Sequence, residues 1–191
     1  HPSRVFAMVE RPGSNFERGG IDQTGRDLDV SVRGEGWLAV QGQDGTEGYT
    51  RSGNLRISTE GLLTTNTGLP VLGDGGPIAI PPADKIEIGQ DGTISIIPKG
   101  SDDNTLVAIE RLKLVNPDIK ILEKGNDGLF RQNNGQIAEP DADVTVQAGS
   151  LESSNVNIVD SMVKMIELSR MYDMQVKMMQ TAKKTDEAST K

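Results

Sequence analysis

The chain has no cysteine, one histidine, one tryptophan, two tyrosines and three phenylalanines among its 191 residues. Without cysteine there is no disulfide frame and no thiolate zinc site. The single histidine is His1, the first residue, so an internal Ser-His-Asp relay has no imidazole to use. A zinc site would have to rest almost wholly on carboxylates. With aromatics at 3%, there are too few rings to pave a sugar-binding cleft, which disfavours a glycosidase although carboxylates are plentiful. Basic residues are outnumbered, 20 Lys and Arg against 28 Asp and Glu, for a net charge of -8; nucleic acid wants a basic face and is excluded as a partner on that ground. No stretch approaches the ~18 apolar residues of a membrane span, and no secretory signal peptide is present. The sequence opens on His1-Pro2 rather than Met, the expected mark of a piece cut from a longer protein. No cofactor, no metal and no small-molecule substrate is expected.

Glycine, by contrast, is abundant at 22 residues, and hydrophobic content is 35%. That combination predicts short strands joined by many turns, around a core of Val, Ile and Leu. Alternating or short apolar runs at Leu28–Val32, Trp37–Val40, Tyr49–Arg51, Asn54–Ile57, Leu62–Thr65, Leu69–Leu72, Ile78–Ile80, Lys85–Ile88, Thr93–Ile97, Leu106–Val115, Ile119–Leu122, Gly128–Phe130 and Val144–Val146 give about a dozen strands. The fold class is mainly β, with a small, irregular β-barrel or sandwich core of short strands. Residues 1–27 read as an extended arm, 28–148 as the β-rich core domain, and 149–191 as a linker and a C-terminal helix. Lys99 to Asn104 is polar and reads as an exposed loop. Gly149 to Asn155 reads as the connector into the helix.

That helix is expected from Asn157 to Ala182, a stretch free of Gly and Pro. Asn157 is a good N-cap, with Asp160 three residues on in a variant of the capping box. Asp160/Lys164 and Asp173/Lys177 are acid-before-base pairs at i,i+4 spacing. Ile158, Met162, Met165, Ser169, Tyr172, Val176 and Met179 step alternately by four and three, the repeat of a coiled-coil seam, interrupted in polarity only at Ser169. A second strip follows Val159, Val163 and Ile166, and a third follows Leu168, Met171 and Met178. This is more apolar surface than one partner helix needs. Six of the seven methionines stand here, and methionine suits surfaces that adapt to non-identical neighbours. The seam is the expected assembly interface, and the fragment is expected either to self-associate through it, as a dimer for example, or to leave the helix poorly ordered.

Chemistry-bearing motifs are few. Gly34-Glu-Gly36-Trp-Leu-Ala39 has the spacing of a dinucleotide fingerprint, but strand pattern flanks it on both sides and no helix is expected to open there. Asp-Gly pairs begin at Asp44, Asp74, Asp91 and Asp127; none carries the ligand spacing of a calcium loop, and all read as turns. The five residues Gly42-Gln-Asp-Gly-Thr46 recur as Gly89-Gln-Asp-Gly-Thr93.

Three stretches carry a resemblance. Gly20-Ile-Asp-Gln-Thr-Gly-Arg-Asp-Leu-Asp-Val-Ser-Val-Arg-Gly-Glu-Gly-Trp-Leu-Ala-Val40, then Tyr49-Thr-Arg-Ser-Gly-Asn-Leu55 with Gly61-Leu-Leu-Thr-Thr65 and Gly68-Leu-Pro-Val-Leu-Gly73, and finally Leu151-Glu-Ser-Ser-Asn-Val-Asn-Ile-Val-Asp-Ser-Met-Val163 with Ser169-Arg-Met-Tyr-Asp-Met-Gln175 resemble the flagellar rod and hook proteins. Gly75-Gly-Pro-Ile-Ala-Ile-Pro81, Arg111-Leu-Lys-Leu-Val115 and Asp127-Gly-Leu-Phe-Arg131 look most like the proximal-rod branch, with the distal-rod branch as the alternative. The resemblance implies a non-enzymatic structural subunit of the rod that crosses the periplasm. It implies export through the flagellar type III gate without a cleaved signal, and polymerisation through terminal helices with other rod subunits and with itself. The family's N-terminal helix is not found in this sequence. The competing reading, from residues alone, is a β-rich binding module with a dimerisation helix, which a shallow aromatic-lined groove would favour.

Overall fold

In a computed structural model of the chain, residues 13–100 and 105–189 are described. Residues 1–12 of the arm and 101–104 of the polar loop lie outside them, as does His1. The strands are β1 (Ile21–Gln23), β2 (Val30–Arg33), β3 (Trp37–Gln41), β4 (Glu47–Thr50), β5 (Leu55–Ile57), β6 (Leu63–Thr65), β7 (Leu72–Gly73), β8 (Gly76–Pro77), β9 (Ala83–Ile88), β10 (Thr93–Pro98), β11 (Val107–Arg111), β12 (Leu114–Val115), β13 (Leu122–Lys124), β14 (Phe130–Gln132), β15 (Thr145–Ala148) and β16 (Ser150–Glu152), and one helix follows, α1 (Ile158–Ser189). The chain divides into two compact units, His1–Ser153 and Ser154–Lys191.

The fold is mainly β, as expected, but the strands form several small sheets and do not close into a barrel. The largest has five strands in the order β12-β3-β4-β14-β13, the next three in the order β11-β10-β9, and β1-β16, β2-β15, β5-β6 and β7-β8 are pairs. Isolated bridges such as Val40 to Val71, Leu62 to Ala79 and Gly73 to Leu112 stitch these pieces together. β3 is the hinge of the body because both of its faces are buried. Leu38 and Val40 face a core of aliphatic side chains that includes Val30, Leu63, Ile94 and Leu114. Trp37 and Ala39 face a second cluster with Tyr49, Leu72, Val115 and Leu122, as the two-residue period of a strand requires. The main core is built without aromatics, in line with the composition.

Five hairpin connections share one geometry. In Gly42–Thr46, Ser58–Leu62, Thr65–Leu69, Gly89–Thr93 and Gly125–Leu129, the first N–H donates to the fifth carbonyl at 2.7–2.8 Å, and the N–H of the fourth residue, always glycine, donates to the first carbonyl at 2.9–3.2 Å. This is a type I turn closed by a glycine bulge. The N–H of the fifth residue is satisfied in two ways. Where the third residue is Asp44, Asp91 or Asp127, its Oδ1 accepts that N–H at 3.0–3.1 Å. Where the third residue is not aspartate, the hydroxyl of the first, Ser58 or Thr65, accepts it at 3.1 Å. The shared five-residue motif read from the sequence is thus one version of a more widely used turn.

Four local expectations change; the first is Ile78–Ile80, read as strand, where β8 ends at Pro77 and only Ala79 bridges, to Leu62. Ile119–Ile121, read as strand, is a 3-10 turn whose N-cap Asp118 accepts the Lys120 N–H at 3.0 Å; the strand begins only at Leu122. The run Leu106–Val115 breaks at Leu112-Lys113, because β11 pairs with β10 while β12 has crossed to β3. The connector Gly149–Asn155 contains β16, which pairs antiparallel with β1 from the arm, Ile21 opposite Glu152 and Gln23 opposite Ser150. All three residues of β1 are exposed, so its sequence carries no alternation that would reveal a strand.

Candidate assembly surface

α1 starts where the sequence places it. The Asn157 side chain accepts the N–H groups of Val159 at 2.9 Å and Asp160 at 3.4 Å, satisfying donors that the first turn leaves without intrahelical partners. The helix continues past Ala182 to Ser189, about 48 Å at the helical rise. Ser161, Thr181 and Thr185 donate their hydroxyls to carbonyls one turn back at 2.8–2.9 Å, which keeps these polar side chains within the helix's own bonding. The pairs Asp160/Lys164 and Asp173/Lys177 do not reach ion-pair distance; the spacing allows the contact, but long exposed side chains gain little from holding it.

The seam residues share one helical face by their spacing. Ile158, Met162, Met165, Tyr172 and Met179 are all more than half exposed, with Met165 at 70%; Ser169 is also exposed and Val176 half-buried. The second and third strips are exposed too. At 3.6 residues per turn the three strips stand around the circumference, not on one side. Met174, which is 61% exposed and belongs to none of the strips, closes the gap between the second and third. The sequence reading missed it, although its position relative to Met171 and Met178 was enough to find it. Charged side chains at Asp160, Lys164, Glu167, Arg170, Asp173 and Lys177 stand among these strips, so α1 carries apolar side chains on every side without being apolar all round. Each of these side chains is worth roughly 1.5–3 kcal/mol when fully removed from water.

In the body, the other candidate motifs take structural roles. Gly34-Glu-Gly36 turns β2 into β3 with a left-handed Gly34, so a strand and not a helix follows the glycines. The aspartates of three Asp-Gly turns bond to their own loops, as above. Among the described residues, no group of three or more Asp, Glu or His side chains is placed to hold a metal ion. Phe16, Trp37 and Phe130 pack on one another at centroid distances of 4.8–5.9 Å, and Tyr49 is buried with its hydroxyl accepting the Ala138 N–H at 2.7 Å. These rings serve the interior; the β-rich unit exposes scattered apolar side chains such as Ile21, Val107 and Ile137, whereas in α1 they are concentrated on one element.

Two family models match: one described as the C-terminal region of flagellar basal body rod FlgEFG proteins, over residues 147–191, and one described as the D1 domain of flagellar hook proteins FlgE/F/G, over residues 31–96. The flagellar basal-body rod protein FlgF of Escherichia coli K12 is 41% identical over 92% of this chain and 72% of its own length. The FlgF of Caulobacter vibrioides is 36% identical over 91% of this chain and 69% of its own length. The FlgG of Bacillus subtilis is similar at 33% identity, over 83% of this chain and 62% of its own length.

Proposed function

This chain belongs to the flagellar basal-body rod protein family, and from that premise we propose that it is a structural subunit of the flagellar basal-body rod, most like FlgF, which polymerises through α1 with other rod subunits and with copies of itself. The rod is its place in the cell, and its work there is mechanical and not catalytic. The alternative of a FlgG-type subunit has weaker support, since the FlgF relatives reach higher identity over more of the chain.

The observation that carries the assembly role is the apolar girdle of α1. Exposed apolar area of this extent marks a surface meant for partners, and the 3.5-residue seam is the pattern that packs helix against helix. Ile158, Met162, Met165, Ser169, Tyr172, Val176 and Met179 are the contacts proposed for the first partner. The second and third strips supply contacts for further ones, so this subunit sits among several helices rather than in a simple pair. The cluster of methionines fits neighbours that are not all identical.

The test is genetic and structural. In cells whose own copy of the gene is deleted, the full-length protein carrying Met162→Ser, Met165→Ser and Val176→Ser together leaves basal bodies without a rod and without filament beyond it in electron micrographs, while the unaltered protein restores both. Intact rods with the triple variant would remove α1 from the assembly mechanism. Intact rods in the deletion strain itself would remove the protein from the rod.

A further inference from the structure

The Tyr49-Thr-Arg51 segment ends in a side chain that the assembly helix does not account for. Arg51 Nε donates to Glu152 Oε2 at 2.7 Å, Nη1 to the Gly36 carbonyl at 2.7 Å, and Nη2 to the carbonyls of Gly34 at 3.2 Å and Val32 at 3.3 Å. Its guanidinium carbon lies 5.7 Å from the centre of the Trp37 ring. The other Glu152 oxygen, Oε1, accepts the Gly19 N–H at 3.1 Å. Both members of the ion pair are largely shielded, with side-chain exposures of 19% for Arg51 and 10% for Glu152. One guanidinium thus joins the end of β2, the turn into β3, the strand β16 and, through Glu152, the arm.

Chain connectivity gives this junction its meaning. Whatever pulls or twists α1 reaches the β-rich unit through the residues that follow Glu152. The strand that receives it, β16, is three residues long, and its ladder partner β1 is equally short and fully exposed. A two-stranded ribbon of that size is marginal by itself. Ser150 adds a buried hydroxyl contact to Ser31 at 2.7 Å, and Ser153 donates to the Gly20 carbonyl, but the charged, multiply bonded tie is Arg51 to Glu152. Charge-assisted bonds of this kind are about twice as strong as neutral ones, and a planar fork holds direction as well as distance.

We propose that Arg51, acting through Glu152, is the positioning residue that locks the β1–β16 strand pair to the body, so that load arriving from α1 is taken up there. The second clause rests on the rod reading above; the first does not. Amide hydrogen exchange on the purified full-length protein tests the lock. Arg51→Ala raises exchange at least tenfold in peptides covering residues 19–23 and 150–152 and leaves the β9–β10–β11 sheet at its original rate. Arg51→Lys, which keeps the charge but loses the fork, falls between. Glu152→Gln guards against a variant that fails to fold, because it keeps the side chain's shape and removes only its charge; it gives the same local increase. Unchanged exchange in the terminal peptides, or an equal rise throughout the body, overturns the lock. In cells, Glu152→Gln is expected to assemble rods yet lose swimming in viscous medium by half or more, at a load where the unaltered strain still swims. Local exchange that rises while viscous swimming stays normal overturns the load-carrying role and leaves the lock standing; a rod that assembles in the deletion strain overturns the rod reading and leaves the exchange result untouched.

Discussion

Gly53 shows how a single position can fix the joint between two pairs of strands. A Cβ built on it would stand 1.7 Å from the Val30 carbonyl oxygen, and that approach exists because the Val30 N–H donates to the Gly53 carbonyl at 2.9 Å. Backbone, not a flexible side chain, fills the space, so the clash cannot be relieved by a rotamer change. Gly53→Ala is expected to destabilise the β-rich unit by about 3 kcal/mol or more, at the upper end for a point substitution, read as a fall in the urea midpoint with an unchanged slope. The acidic turns respond to pH instead. Asp44 and Asp91 are held below the ordinary aspartate value chiefly by the hydroxyls of Thr46 and Thr93, and Asp127 chiefly by Arg131, whose guanidinium grips both of its oxygens at 3.1 and 2.7 Å. Because the folded-state values are depressed, the stability these groups add is complete above the unfolded-state value near about pH 4 and disappears as pH falls through the lowered ones. Asp127→Asn therefore flattens the acid limb of the stability curve below about pH 4, with the neutral-pH value reduced, in denaturant titrations run across pH. An acid limb as steep as the parent's would show that Asp127 is not titrating there.

At the scale of elements, the turn is the unit that repeats. The fourth residue of all five shared turns is a glycine at φ between 80 and 86°, where other residues bear a cost of about 1–2 kcal/mol. At Gly45 nothing lies within 4 Å of an added Cβ, so Gly45→Ala isolates that backbone cost from any clash. The expected loss is about 1 kcal/mol, measured by the same denaturant midpoint, against the larger steric loss at Gly53. These turns also explain what could be read in advance. Asp-Gly and Gly-Leu punctuation placed most strand boundaries, and a Gly- and Pro-free stretch with Asn157 at its head placed the start of α1. What stayed hidden was pairing that leaves no hydrophobic trace: β1 is exposed at every residue, and the Leu106–Val115 run looks continuous although its backbone changes sheets at Leu112. The proposed seam rests on a spacing of four and three, to which the structure adds the exposure of most of its side chains. Arg51 was visible only as one letter in a family-like motif, since its partners are carbonyls of Val32, Gly34 and Gly36 and a carboxylate 101 residues away along the chain, and backbone carbonyls have no sequence signature.

For the whole molecule the two units rest on different physics. The β-rich unit is held by its own two buried cores, one aliphatic and one built around Trp37 and Tyr49, so its stability is an intramolecular property. α1 exposes nearly all of its apolar side chains, and an isolated helix draws little stability from propensity alone, because most helical stability in proteins comes from packing an apolar face. On the assembly role proposed above, what holds it comes largely from association, and association obeys mass action. Thermal unfolding followed by circular dichroism is therefore expected to show two transitions. The first, in the helical signal, moves upward as protein concentration is raised. The second, in the near-ultraviolet band of Trp37 that lies at longer wavelength than the tyrosine signal, stays where it is. Serine at Met162, Met165 and Val176 removes the concentration dependence of the first without moving the second, since none of the three side chains belongs to either β core. A single transition indifferent to concentration, with helix and aromatic signals lost together, would mean that α1 is stabilised inside its own chain and that its apolar girdle is not an assembly surface.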